Sequence, residues 1–401
     1  MEIGEIDILG GKSMGKNRCY TYVDDNGKKY SEEDIFFRAS DEDDMTKTWK
    51  LKKGQRFPNI FTPRTKAVEY GFPMSIVNKE TGKRTDQKVT KEGNLLPLHA
   101  GSCRQIKAIC FALPSAGKTT FYLKTIQSQE FLNALTGSRV AKNLSFMEDL
   151  VSRSGVQQHY CKLLKDIEEQ HALPGNTLKG MNVTFPYHVV SEQDEALLCV
   201  TDISGEDCKG LRWSDSRITS NKYFLVMIDI EDIIQGRTDY IDLVEQLLKN
   251  LKMHRVRKDY EVLIILTKGD KLKNYFELDK EYAFENSIEI QNGKLELGVH
   301  KNGFDLDIFE EKEKGIEQYL RYICPNLVNL LRRYLGKRVR FFLIAAIGCD
   351  LYEFQTNLNN YKPYCIDEPW LYILLKENII SKANESISLE QILKNLFGIG
   401  A

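Results

Sequence analysis

Five short apolar runs, at residues 106–111, 196–201, 223–228, 262–266 and 341–346, constrain this chain more than any other feature. Each has the length of one strand and is apolar at nearly every position, so it is buried on both faces. Strands of that kind need helices above and below them. The stretches between supply candidates. Residues 240–253 place Ile241, Val244, Leu247, Leu248 and Leu251 on one helical face, and residues 308–335 read as a second long amphipathic helix. The expected fold class is therefore α/β, with three layers and a mostly parallel sheet. Residues 181–190 and 192–201 look like adjacent strands with a tight connection, which adds one antiparallel edge strand.

The flanks read differently. Residues 1–104 carry turn signals (Asp24-Asp25-Asn26-Gly27, Lys79-Glu80-Thr81-Gly82) between short β-prone runs, with an acidic block over 32–44 and a basic one over 79–91. A β-rich or irregular N-terminal region is expected there. The α/β domain spans 105–350, with insertions at about 121–176 and 271–307, the second holding a candidate hairpin near Gln291-Asn292-Gly293-Lys294. Residues 351–401 are expected to pack two helices on the core, one over 369–375 and one starting at Ser388, where Gln391 completes a capping box.

Composition excludes some classes. The 401 residues have a formal net charge of −1, so no global basic excess points to nucleic acid. The longest apolar runs, 223–230 and 341–347, are far too short to span a bilayer, and the first residues lack the pattern of a secretory signal. Nine cysteines without a C-x-x-C pair, and His171 and His188 without metal-ligand spacing, suggest a reduced, cytoplasmic chain without structural zinc.

Four segments carry chemistry. Ala112-Leu113-Pro114-Ser115-Ala116-Gly117-Lys118-Thr119 follows the first apolar run and opens a helix-compatible stretch continuing through Thr120. This is the context of a phosphate-binding loop, whose backbone N–H groups and helix N-terminus cradle phosphates. Lys118 brings a cation to the β- and γ-phosphates, and the Thr119 hydroxyl suits Mg²⁺. Next comes Asp202-Ile203-Ser204-Gly205-Glu206, at the end of the second run. Asp202 would hold Mg²⁺ through water, and Gly205, lacking Cβ, lets its N–H approach the γ-phosphate. Third is Thr267-Lys268-Gly269-Asp270. The Asp270 carboxylate can accept from guanine N1–H and the 2-amino group, neither of which adenine offers. The Lys268 stem would lie along the base, and Thr267 would tie this loop to the phosphate loop. In the fourth segment, residues 344–348, Ala346 leaves room for a backbone N–H to reach guanine O6.

In this order the segments resemble the signature of the translation-factor-related (TRAFAC) class of P-loop GTPases. Pro114 makes the first loop most similar to its Era-type members, over roughly residues 105–350. A weaker likeness, through the D-x-S-G-E loop and the large insertions, is to bacterial double-GTPase-type proteins of conflict systems. The resemblance implies a P-loop GTPase fold, Mg²⁺ with GTP or GDP, and slow hydrolysis as a molecular switch. The alternative is a GTP-binding scaffold or sensor that does not hydrolyse. It also implies a switch threonine ahead of the antiparallel strand, acting in catalysis and on the metal. Thr177 is favoured over Thr184, which falls within that strand. The chain departs from the class at Ala112, which replaces a glycine, at Thr267, which replaces the usual Asn, and in lacking the usual Ser and Lys around Ala346. It also departs at Glu206, where Ras-like enzymes have the water-orienting Gln. An ionised carboxylate accepts hydrogen bonds but cannot donate them, and it faces the like charge of the γ-phosphate. Arg212 and Arg217 are candidates to offset that charge or to serve as an arginine finger in cis, against the plainer reading of solvated switch arginines. Partners are expected at the switch loops and insertions, as another protein or a second copy. The basic cluster of Arg332, Arg333, Lys337, Arg338 and Arg340 reads as the cationic end of a helix closed by Gly336 rather than as a nucleic-acid surface.

Overall fold

The computed structural model describes residues 20–24, 27–38, 48–49, 76–77, 84–85, 87–97, 99–127, 162–163, 166, 183–190, 195–208, 219–254, 256, 258–272, 299–300, 303–304, 306–348 and 365–380. At its centre is a six-stranded sheet. Its strands are β1 (Arg104–Ala112), β2 (Val183–Val190), β3 (Glu195–Asp202), β4 (Tyr223–Asp229), β5 (Glu261–Thr267) and β6 (Val339–Leu343). They lie in the order β6-β5-β4-β1-β3-β2. Five are parallel, and β2 is the antiparallel edge, with Glu195 opposite Val190 across its connection to β3.

All five expected runs are strands of this sheet. The last is displaced: it starts at Val339 and ends at Leu343, although the Ile344 N–H still donates to the Leu266 carbonyl.

Alternation along β1 divides the core. Ile106, Ala108, Cys110 and Ala112 face one cluster, and Ile109 and Phe111 face the other. Helices α1 (Lys118–Gln127) and α7 (Glu368–Lys376) cover the first face. Beyond α2 (Gly205–Cys208) and α3 (Ile230–Ile234), the second face is covered by α4 (Asp239–Met253) and α6 (Pro325–Leu335). Helix α5 (Leu306–Ile323) contributes Phe309 to one cluster and Ile316, Tyr319 and Leu320 to the other. The three-layer expectation is met.

The single helix expected over 308–335 is two. Cys324 has φ −145° and ψ 66°, and Pro325 opens α6. Proline has no N–H to continue the ladder and disfavours helical geometry in the residue before it. As expected, α6 ends at Gly336, with φ 58°. The second tail helix, the hairpin near 291–294 and most of both insertions lie outside the described residues.

The N-terminal region forms short antiparallel pairs, 22–23 with 29–30, 76–77 with 84–85, and 36–38 with both 48–49 and 88–89. Tyr22, Tyr30, Ile35 and Phe37 close a third cluster against Leu197 and Cys199 of β3. The β-rich region is thus docked on the sheet.

Candidate functional site

Because five strands are parallel, the segments after β1, β3, β5 and β6 all leave the same edge of the sheet. The chain runs from β1 to β3 on one side and then to β4 on the other, so the direction of winding reverses at β1. The crevice at such a reversal is where open α/β sheets bind ligands.

The loop after β1 turns sharply. Gly117 has φ 78° and Ser115 has φ 67°. A left-handed conformation costs a non-glycine residue roughly 1–2 kcal/mol, and such strain gathers at functional sites. Among the described residues four non-glycines have positive φ, and two of them, Ser115 and Lys268, lie in the two loops singled out by sequence. Pro114 and Ser115 are exposed. Ala116 is buried, as are Lys118, Thr119 and Thr120 in the first turn of α1.

Lys118 is 6% exposed, and its ammonium pairs with the fully buried Asp202 carboxylate and donates to the Ile203 carbonyl. The lysine that opens α1 and the aspartate that ends β3 are therefore in direct contact. Gly205 approaches as closely. A Cβ on it would lie 2.7 Å from the Pro114 nitrogen and 3.0 Å from the Leu113 carbonyl carbon. The sequence reading explained this glycine by access to a phosphate; here it is required by the backbone of the loop after β1.

At the other end of the crevice, Thr267 does not tie its loop to the loop after β1. Its hydroxyl donates to the Ile228 carbonyl of β4, 3.3 Å away, because Thr267 is the last residue of β5 and lies beside β4. Lys268, at φ 57°, places its ammonium 2.5 Å from Asp229 Oδ2. The Gly269 N–H donates to the Ile344 carbonyl at 2.9 Å, which joins this loop to the segment after β6. Asp270 is half-buried in the 3₁₀ turn Gly269–Leu272, and Ala346 is half-buried in the bend beyond Ala345.

Glu206 is the second residue of α2. Thr184 lies within β2, its hydroxyl 3.0 Å from that of Thr201. Thr177, Arg212 and Arg217 lie outside the described residues. Two thiols flank the Lys118–Asp202 pair. Burial pushes Cys110 up to about 12 and raises Cys208 as well, so both are neutral space-fillers near pH 7.

Three of the five clustered cations make internal contacts. Arg332 pairs with Glu317 and lies over the Phe341 ring, Arg338 lies 4.4 Å from the Tyr260 ring centroid, and Arg340 is 2.7 Å from Glu313.

Sequence reasoning missed Asp229. It ends β4, caps α3 and holds Lys268. An acid closing an apolar strand, with Glu231 and Asp232 just beyond, is a legible helix-start signal.

The residues present fit Mg²⁺ and a polyphosphate. A hydroxyl (Thr119) and a carboxylate (Asp202) are hard oxygen donors, and Mg²⁺ with a phosphate ligand needs only one or two of them from protein. Among the described residues no group of three or more His, Cys, Asp or Glu is placed to hold a metal by itself, and no helix is long and apolar enough to cross a membrane. No protein-family model matches the chain, and no curated protein matches it.

Proposed function

We propose that the protein binds a Mg²⁺-guanine nucleotide in this crevice and hydrolyses GTP slowly, as a switch. The observation that carries the reading is the convergence of four sequence-selected segments on one sheet edge. Lys118 is against Asp202, Gly205 is against Pro114, and Gly269 is bonded to Ile344. The shared edge follows from the parallel strands alone, so it is these contacts between neighbouring segments that support the reading.

In this reading residues 114–120 hold the phosphates, with Lys118 moving from Asp202 to the phosphate oxygens. Thr119 and Asp202 would hold Mg²⁺, which when bound supplies charge neutralisation at the β- and γ-phosphates. Asp270 reads the guanine edge, Lys268 flanks the base, and a backbone N–H near Ala346 donates to guanine O6. Glu206 follows Gly205 at the start of α2, so a carboxylate stands in sequence where the hydrolytic water would be oriented. That favours slow turnover stimulated by a partner or a second copy. A GTP-binding scaffold that does not hydrolyse is the second reading, and it rests on the same carboxylate.

Calorimetric titration with Mg-GDP, Mg-GTP and Mg-ATP tests the binding step, and phosphate release tests the chemistry. Tight guanine binding with weak ATP binding is expected. Asp270→Asn should shift preference towards xanthine nucleotides, whose 2-carbonyl needs a donor. Equal affinity for ATP and GTP would refute the assignment. Guanine binding with no phosphate release, alone or at high protein concentration, would leave the scaffold.

A further inference from the structure

We infer that Asp229 is a positioning residue for guanine selection: it sets the base-reading loop through Lys268. The inference rests on the guanine-nucleotide reading above and deepens it.

The two carboxylate oxygens of Asp229 have separate partners. Oδ1 accepts from the Glu231 N–H at 3.0 Å and caps α3. Oδ2 is 2.5 Å from the Lys268 ammonium. Asp229 is 7% exposed and the Lys268 side chain 37%, so water screens the pair from the lysine side. Lys268 itself is held at φ 57°, a conformation that a lysine does not prefer. Two other bonds grip the same loop. Thr267 donates to Ile228, the residue before Asp229, and Gly269 donates to Ile344. The segment carrying Asp270 is thus stapled to β4 on one side and to the end of β6 on the other. Of these staples only the Asp229–Lys268 pair joins two charges, and it acts on the residue whose backbone is strained.

Asp270 lies two residues beyond Lys268, in the turn that the left-handed residue starts; the Lys271 N–H closes that turn on the Lys268 carbonyl at 2.9 Å. Loosening Lys268 therefore lets the Asp270 carboxylate drift from the position that two parallel hydrogen bonds to one base edge demand. Phosphate contacts are made at the other end of the crevice and do not depend on this pair.

Asp229→Asn separates the two roles. The carboxamide oxygen still accepts from Glu231, while the amide group turns a donor towards an ammonium. The measurement is the ratio of ADP Kd to GDP Kd, taken by competition on the full chain with Mg²⁺. The expected result is that the ratio falls on the order of tenfold in Asp229→Asn, through weaker GDP binding, with ADP binding unchanged. In a double-mutant cycle the substitution should add nothing in a Lys268→Met background, because the partner is already gone. An unchanged ratio overturns the inference and leaves the guanine reading intact. Equal losses for GDP and ADP, or additivity with Lys268→Met, also overturn it, since they show a merely structural or independent role. A parent protein that binds ADP as tightly as GDP, or neither, removes the guanine reading and this inference with it.

Discussion

One missing methyl group joins the two halves of the proposed phosphate crevice. Gly205 faces backbone atoms of Leu113 and Pro114, and backbone cannot swing aside as a side-chain end can. Gly205→Ala should therefore push α2 and the loop after β1 apart, weakening nucleotide binding by at least tenfold, or about 1.4 kcal/mol. Gly117→Ala is the useful contrast. Its Cβ would meet nothing within 4 Å, so it carries only the cost of φ 78°, about 1–2 kcal/mol. Calorimetry on both variants distinguishes them: equal affinity of Gly205→Ala and parent would show that the contact is dispensable. At this scale the sequence named positions better than partners. Lys118, Asp202, Gly205 and Asp270 stand at the offsets that the proposed phosphate loop and base edge would require. That Lys118 contacts Asp202, or that Thr267 bonds Ile228 instead of the phosphate loop, depends on which strands are neighbours. A linear motif carries no such information.

Helix α7 shows what the elements contribute. Every residue from Glu368 to Leu375 is buried, and Trp370 stacks on Phe121 of α1 at 5.3 Å between centroids while its indole N–H donates to Thr125. Since α1 begins at Lys118, the tail supports the helix that presents this lysine. Trp370→Ala should cost about 3–5 kcal/mol in a denaturant titration, and bound Mg-GDP should recover part of the loss; a midpoint within error of the parent would refute the packing argument. A second element pair has a pH signature. Glu317 on α5 pairs with Arg332 on α6 and with Arg321. Burial works against its charge, but the hydrogen bonds from the two guanidinium groups outweigh that, and its carboxyl titrates below the ordinary 4.5. A lowered carboxylate pKa stabilises the folded state above the unfolded value, and the contribution is lost as pH falls through the folded one. Glu317→Gln should thus lower stability at pH 7 by about 1 kcal/mol, with the gap to the parent closing as pH falls below 4.5. A gap constant between pH 7 and pH 4 would show that charge is not the cause. The strands were legible because doubly buried runs have no other use. The break at Cys324 was legible too, in Pro325, but the amphipathic period continues across it and masked the signal.

For the whole molecule, the question is how the N-terminal region holds to the α/β sheet. Its β-rich character was readable from turn residues, but its docking was not, because the residues that make it look like the polar start of a strand. Gln105 on β1 behaves as a rung of a ladder. Val23 donates its N–H to Gln105 Oε1 at 2.9 Å, and Gln105 Nε2 donates to the Val23 carbonyl at 2.9 Å. Lys107, two residues on and on the same face, donates to the carbonyls of Val23 and Asp24. Lys88, fully buried, donates to the Ala100 carbonyl and the Ser102 hydroxyl, tying the strand at 88–89 to the segment that leads into β1. Between these polar clamps lies the cluster of Tyr22, Tyr30, Ile35 and Phe37 on Leu197 and Cys199. Gln105→Ala removes one clamp, together with the Nε2 contact to Cys199 Sγ at 3.2 Å on the margin of that cluster. It withdraws the acceptor of the Val23 N–H and one of the donors to its carbonyl, at a cost of about 1–3 kcal/mol. Hydrogen exchange localises the effect. Amides of residues 22–24 and 27–30 should exchange faster, whereas those of β4 and β5, at the centre of the sheet, should keep the protection of the parent. If β4 and β5 lose protection in parallel, the N-terminal region and the sheet unfold as one unit, and Gln105 is part of a shared core rather than a clamp between two.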